Sequence, residues 1–499
     1  MRRRTWLALA GAGAGALAYA KRRRATPQPP ARLHGRATPH LGAIARTGRL
    51  ARNVEAARIG GRAGGAYAMH RARSVFASAD QRQVLEAAFQ LRTAEQVAEA
   101  LGHMKGAMMK VGQMLSYLDE GLPEPFRMAL AQLQQDAPPM SPELSAQMVE
   151  QELGKAPDDL FEEWDPLPIA AASIGQVHRA ITREGTAVAV KVQYPGVDDA
   201  IRADLANLPL FFGGLGMMFP GLEPGPIVAE VRTRLLEELD YANEAANQRL
   251  FADYWRDHPF IHVPDVLSEY STARVLTTEL AEGARFSDAE QWSQEERNLA
   301  AEAIFRFVFN SMYRMKAFNG DPHPGNYLFR PGGQVTFLDF GLIKHFDDED
   351  VRIFEDMIRA IVLEEDPRQA RIAIERAGIL PASAPIDDQH VFEYFSFFYR
   401  GASPTSDAYD AEYTAEMSRR YFDLTGPYAD VMRAANVPPR MVLIQRINLG
   451  LFAILARLRP AVEFPPIARE IWPFVSDPPS TELGRAEAAW RARRAAVHA

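Results

Sequence analysis

The stretch Gly320-Asp321-Pro322-His323-Pro324-Gly325-Asn326 is followed, thirteen residues after Asn326, by Asp339-Phe340-Gly341. A carboxylate, an amide five residues on and a second carboxylate ahead of Phe-Gly make an ordered set of oxygen groups. Asp321 is read as the group that orients a nucleophile, and Asn326 and Asp339 as hard ligands that hold Mg²⁺ against phosphate oxygens. That chemistry is phosphoryl transfer from ATP. Pro322 and Pro324 each fix a backbone torsion, so the loop is expected to be stiff. His323 is read as a loop residue held by hydrogen bonds.

A phosphate site needs a positioned cation. Lys191 lies in Val188-Ala189-Val190-Lys191-Val192, whose alternation is that of a strand, so its ammonium is expected on the face opposite the core. A kinase uses such a lysine on the α/β-phosphates and sets it with a carboxylate from a helix. Glu237, Asp240, Tyr241 and Glu244 fall at three- and four-residue spacing and are expected to share a helix face. Glu244 is chosen from them as the partner of Lys191. A glycine-rich phosphate loop is missing. Just before the paired strands stand Ala170, Ala171, Ala172 and Ser173, assigned to nucleotide binding with a grip unlike that of a glycine loop. Glu279 and Ala281, at the end of strands near 261–280, complete the nucleotide set. The absence of GxxxxGK[ST] excludes a P-loop site, and no HExxH spacing offers a zinc site.

These residues need two kinds of scaffold. Strand periodicity dominates near 160–195, with Thr182-Arg183-Glu184-Gly185 as a hairpin turn. A helix is expected near 227–253, and from 290 onward the pattern is helical, broken by the two motif segments. Ser141-Pro142-Glu143 reads as an N-cap with proline at the first helical position. Strands first and helices later, with the chemistry at the join, is an α+β order.

The chain of 499 residues, 47% hydrophobic and 24% charged, has the composition of a folded protein. It has no cysteine, which excludes disulfides, thiolate metal sites and a cysteine nucleophile. Its net charge is −8, yet residues 1–75 carry sixteen Arg/Lys against the single acid Glu55. A basic tail on an acidic body suits an anionic surface. Lipid fits better than nucleic acid, and no nucleic-acid partner is expected, because the tail opens with the apolar run Thr5 to Ala20 between two arginine clusters. That run is shorter than the roughly 20 strongly apolar residues of a spanning helix. Membrane association or anchoring, an unstructured tail and a signal peptide ending near Ala18-Tyr19-Ala20 all stand as readings. An ATP-using body and the basic cluster after the run oppose the last. The apolar, proline-interrupted region 208–228 is read as a buried insert, with a lipid- or partner-facing patch as its alternative.

At this point the motifs resemble a known family. Lys110-Val111-Gly112-Gln113, the alanine-rich Ala170 to Ser173 with Ile174-Gly175-Gln176-Val177-His178, Glu238-Leu239-Asp240, Asp321 to Asn326 and Asp339-Phe340-Gly341 are similar to segments of UbiB/ADCK atypical kinases. The resemblance spans roughly residues 85–400. It implies a two-lobed protein-kinase-like fold with an N-terminal helical extension packed over the active site. It also implies regulatory roles for Lys110, Gln113, Glu238 and Asp240, with Lys110 pairing Glu238, and ATP hydrolysis stimulated by lipids in support of isoprenoid-quinone metabolism. The expected divisions are a basic tail over 1–75, the helical extension over 76–150, a small lobe over 151–281, a large helical lobe over 282–475 and a C-terminal tail over 476–499. The expected location is the cytoplasmic face of a membrane or the cytoplasm. Two departures stand out. Asn319-Gly320 replaces the family's His-Ala, and no Ala-Pro-Glu follows the short run Leu342 to Asp347.

Three functions are therefore weighed. The first is a Mg²⁺-dependent ATPase or small-molecule or lipid kinase at a membrane, using ATP/ADP and aided by quinone-pathway enzymes or lipids. The second is a phosphotransferase of the aminoglycoside/choline kinase type, which has no reason to carry the Lys110–Gln113 motif. The third is a nucleotide-dependent scaffold without turnover. Asp321 is expected to act on water or a small hydroxyl rather than on a protein serine.

Overall fold

The computed structural model describes residues 140–172, 174–199, 201–202, 205, 232–233, 235–320, 322–402, 416, 420, 426–435 and 450–498. Helix α1 (Pro142–Leu153) starts where the sequence places a cap: the Ser141 side chain accepts from the Leu144 N–H, with Pro142 in the first turn. It leads to an antiparallel sheet of β1 (Phe161–Ala172), β2 (Gly175–Thr182), β3 (Ala187–Gln193) and β5 (Val275–Glu279), in the order β1-β2-β3-β5. The turn after β2 closes with Gly185 N–H on Thr182 O at 2.9 Å. Val188, Val190 and Val192 point into a core with Met148, Val149 and Phe161, so α1 packs on this sheet. The period-2 alternation sends Lys191 to the other face.

Helix α2 (Tyr241–Tyr254) spans the two halves. It begins later than the periodicity suggests. Residues 235–237 are helical, the chain turns at Glu238 and Leu239, and Asp240 then caps α2 by accepting from Asn243 N–H at 3.0 Å. Glu237 and Asp240 therefore do not share a helix face with Glu244. The cap side chain satisfies an N-terminal donor that a continuous helix would have bonded itself.

The second half is mostly helical. A small sheet, β4 (Ile261–His262), β8 (Gln334–Phe337) and β7 (Tyr327–Arg330), pairs β4 parallel to β8 and β7 antiparallel to it. β6 (Ala317–Asn319) pairs antiparallel with β9 (Ile343–His345). Around them lie α3 (Gln294–Asn310), α4 (Asp348–Ile358), α5 (Pro367–Arg376), α6 (Asp388–Ser396), α7 (Phe464–Ile471) and α8 (Glu482–His498). They enclose one large aromatic and aliphatic core, in which Phe307 stacks on Phe337 and Phe305 meets Phe464. The last stretch is not a tail. Trp490 of α8 is buried and stacks on Trp255, with ring centroids 5.8 Å apart. Among the described residues no helix is long and apolar enough to cross a membrane. The run 5–20 and the region 208–228 lie outside the described residues.

Candidate functional site

Strand β3 delivers Lys191 toward α2, and the two meet as the sequence predicts. Lys191 Nζ donates to both carboxylate oxygens of Glu244, at 2.7 and 2.9 Å, and stands 3.9 Å from Asp339 Oδ2. The Lys191 side chain is 18% exposed and that of Glu244 only 4%. Burial alone would lower the Lys191 pKa, but the carboxylates of Glu244 and Asp339 outweigh it and hold the ammonium well above its ordinary value. The Glu244 carboxyl is pushed up to about 7 by burial, against the pull of Lys191. The Tyr241 ring sits under the ammonium, 4.8 Å from Nζ, and its buried hydroxyl has no partner among the described residues.

Asp339 follows β8. Its Oδ1 accepts from Gly341 N–H at 3.0 Å, which fixes the carboxylate's rotation and leaves Oδ2 toward Lys191. Phe340 is fully buried beneath α2, with its ring 5.0 Å from that of Phe251. Asn247 Nδ2 donates to Phe340 O at 3.2 Å. Asn247 was missed at the sequence level, although its place three residues after Glu244 on one helix face was a usable signal. Asn319, noted in the sequence only as a departure, donates Nδ2 to Asp339 O at 2.6 Å and so joins the β6 segment to the Asp-Phe-Gly segment.

Asn326 ends a short turn in which its N–H reaches His323 O, at 2.9 Å, and its carbonyl accepts from Leu338 N–H, at 3.0 Å. That second bond sets Asn326 beside the residue preceding Asp339. His323 Nδ1 accepts from Gly325 N–H at 3.1 Å, a loop role as expected. One carboxylate and one amide oxygen suit Mg²⁺, which takes few protein ligands and completes its shell with phosphate oxygens and water. Among the described residues no group of three or more His, Cys, Asp or Glu converges. Asn326 and Asp339 supply the oxygen types that could hold such an ion. Asp321 lies outside the described residues, between Gly320 and Pro322.

The alanine segment differs from the expected loop. Ala170, Ala171 and Ala172 form the end of β1, in register with Val177, Gln176 and Gly175. They belong to the hairpin itself and not to a loop before it. A strand ladder holds each alanine in an extended conformation that needs no glycine. Gly175 across from them is fixed by close approach, since a Cβ there would lie 2.2 Å from Val192 O of β3. Ser173, Lys110 and Gln113 lie outside the described residues. Glu238 sits in the turn before α2 and contributes to the field around Lys191 and Glu244, while Asp240 is the cap of α2. Glu279 ends β5, with its carboxylate 3.4 Å from His262 Nε2, and Ala281 follows in the half-buried link toward the second half.

Residues 132–372 match the family model of the ABC1 atypical kinase-like domain. The chain is 35% identical over 273 residues to "Atypical kinase COQ8B, mitochondrial" of Rattus norvegicus, an alignment covering 54% of this chain and 51% of that protein. It is 27% identical over 386 residues to "Atypical kinase COQ8, mitochondrial" of Saccharomyces cerevisiae, covering 76% of each. The chain spans about half the length of the rat relative. Among solved structures, the Rv3197–erythromycin complex from Mycobacterium tuberculosis superposes with a TM-score of 0.57 at 30% identity, covering 80% of this chain and 100% of that one. The fold is thus a protein-kinase-like α+β fold. With the strand lysine, the helix glutamate and the Asp-Phe-Gly segment assembled as that fold requires, the chain belongs to the ABC1/UbiB (ADCK/COQ8) atypical kinase family.

Proposed function

We propose that this protein is a Mg²⁺-dependent ATPase or a kinase for a small or lipidic hydroxyl, linked to a membrane and supporting isoprenoid-quinone or other lipid metabolism. The observation that carries this reading is the Lys191–Glu244 pair with Asp339 Oδ2 3.9 Å from the same ammonium. Lys191 grips the α/β-phosphates, and Glu244 keeps its charge aimed at them. Mg²⁺ held by Asn326 and Asp339 neutralises charge on the phosphate oxygens when bound. Asp321 takes up the proton of the attacking hydroxyl or water. The short run from Leu342 to α4 leaves little chain for docking a peptide, which favours a small acceptor. The basic character of residues 1–75 supports an anionic lipid partner.

An ATPase assay with and without anionic vesicles and a phenolic quinone-precursor analogue tests this reading. Turnover should require Mg²⁺, rise with the lipid, and fall by about 10²-fold or more in Asp321→Asn. A wild type with no Mg²⁺-dependent turnover above background would leave a nucleotide-binding scaffold in its place, whereas equal turnover in wild type and Asp321→Asn would remove Asp321 from the chemistry.

A pH signature follows from Glu244. As pH falls through about 7 the carboxyl gains a proton, and the negative charge that aims Lys191 disappears. Affinity for MgADP should drop by about tenfold between pH 8 and pH 6 beyond the change due to the nucleotide's own titration. Glu244→Gln binds more weakly at pH 8, approaches the wild type near pH 6 and lacks this extra slope. Parallel pH profiles for the two proteins, measured by calorimetry, would remove Glu244 from the nucleotide grip.

A further inference from the structure

The segment on either side of Asp321 is held from two directions. On the upstream side, Gly320 N–H donates to Leu342 O at 2.7 Å, and Asn319 binds Asp339 O. On the downstream side, the buried Pro322 meets Gly450. A Cβ at position 450 would lie 2.4 Å from Pro322 Cγ and 3.5 Å from its Cβ and Cδ. No Cβ tolerates the first distance. The proline ring is closed onto its own backbone, so it cannot swing aside as a flexible side chain would.

The helical stretch 450–458 that carries Gly450 has no freedom to retreat. Leu451, Phe452, Leu455 and Leu458 are buried in the main core. Its far end is tied down by Arg457 Nε on Glu290 Oε1 at 2.8 Å and by Gln294 Nε2 on Arg459 O at 2.9 Å. Glycine is a poor helix former, so its place in this helix has a local reason other than propensity. A side chain at 450 must therefore displace Pro322, whose ring nitrogen is bonded directly to the carbonyl carbon of Asp321.

We propose that Gly450 is a positioning residue for the candidate catalytic loop: its missing side chain lets the helix seat Pro322, and thereby the peptide that carries Asp321. This rests on the reading of Asp321 as the group that engages the nucleophile. A displacement on the scale of 1 Å at such a group costs on the order of 100-fold in rate while leaving the nucleotide grip at Lys191 and Asp339 intact.

The test compares wild type, Gly450→Ala and the double variant Gly450→Ala/Pro322→Ala, which removes the clashing Cγ. In Mg²⁺-ATP turnover, Gly450→Ala should lose about 10- to 100-fold in kcat, with MgADP affinity within about threefold of wild type. The double variant should regain most of the loss. Unchanged kcat in Gly450→Ala, or a loss that Pro322→Ala does not relieve, overturns the proposal. So does a Gly450→Ala protein that fails to fold or whose MgADP affinity collapses with its rate, because the contact then serves the fold as a whole. Asp321→Asn run in parallel separates the two ideas. If that variant turns over like wild type, the role of Asp321 fails, whereas a rate loss in Asp321→Asn together with a Gly450→Ala loss that Pro322→Ala does not relieve defeats only the positioning role of Gly450.

Discussion

Arg306→Leu should destabilise the protein by about 3–5 kcal/mol in equilibrium unfolding, far more than an exposed ion pair would. The Arg306 side chain is 0% exposed and binds three carboxylates from three helices. Nε reaches Glu302 of α3 at 2.7 Å, Nη2 reaches Glu470 of α7 at 2.6 Å, and Nη1 reaches Glu487 of α8 at 3.3 Å. Thr481 adds a hydroxyl that accepts from Nη2 at 3.0 Å. Burial would lower the guanidinium's pKa, but the three carboxylates raise it, so the charge stays. Deleting it leaves three buried carboxylates facing one another, with Arg491 paired to Glu487 and Arg314 acting on the same carboxylate. Leucine fills much of the volume, so the loss is electrostatic and not a cavity effect.

The sign of its pH dependence is fixed by the same geometry. Burial already raises the Glu487 pKa in the intact protein, against Arg491 and Arg306. Without Arg306, the Glu487 carboxyl of the folded state holds its proton more tightly still than in the unfolded chain, so folding is helped as pH falls. The deficit of Arg306→Leu should therefore shrink between pH 8 and pH 5. A deficit below about 1 kcal/mol at pH 8 would mean that the three carboxylates do not depend on this guanidinium.

Arg306 also shows where the sequence stops being readable. Two of its partners lie 164 and 181 residues away, and no local pattern joins them. The same distance hides the contact between Gly450 and Pro322. Lys191 and Glu244 are 53 residues apart, yet each carries a local signal: strand alternation for the lysine, and acids at helical spacing for the glutamate. That same spacing misleads at Asp240. Its side chain can either continue a helix face or cap a new helix, and only the backbone turn at Glu238 and Leu239 decides. The sequence reading sets the alanine segment before the paired strands, whereas it forms the end of β1 within them. Its exposed alanines give little burial periodicity, so β1 was not recognised as the first strand of the hairpin. The helix at the C-terminus was legible in principle through Trp490, a costly residue to leave in a tail.

The second large effect is Asp339→Asn, which should abolish Mg²⁺-nucleotide binding while leaving the apo fold nearly unchanged. Asparagine has the shape of aspartate, and its Oδ1 retains the Gly341 N–H bond. What it loses is the negative charge at a position 3.9 Å from Lys191 and partly open, with the side chain 27% exposed. Mg²⁺ binds through hard, charged oxygen, and Asn326 offers only a neutral amide, so no full carboxylate would remain in the proposed ligand pair. Nucleotide then meets Lys191 without a metal to neutralise its own phosphates.

A thermal-shift titration with MgADP reads this directly. At about 100 times the dissociation constant, a bound ligand adds about 2.7 kcal/mol to stability, enough for a clear rise in melting temperature. The wild type should show that rise and should lose it when EDTA removes Mg²⁺. Asp339→Asn should melt with the apo wild type and show no shift at the same nucleotide concentration. A shift in Asp339→Asn equal to that of the wild type would contradict metal-assisted phosphate binding at this site.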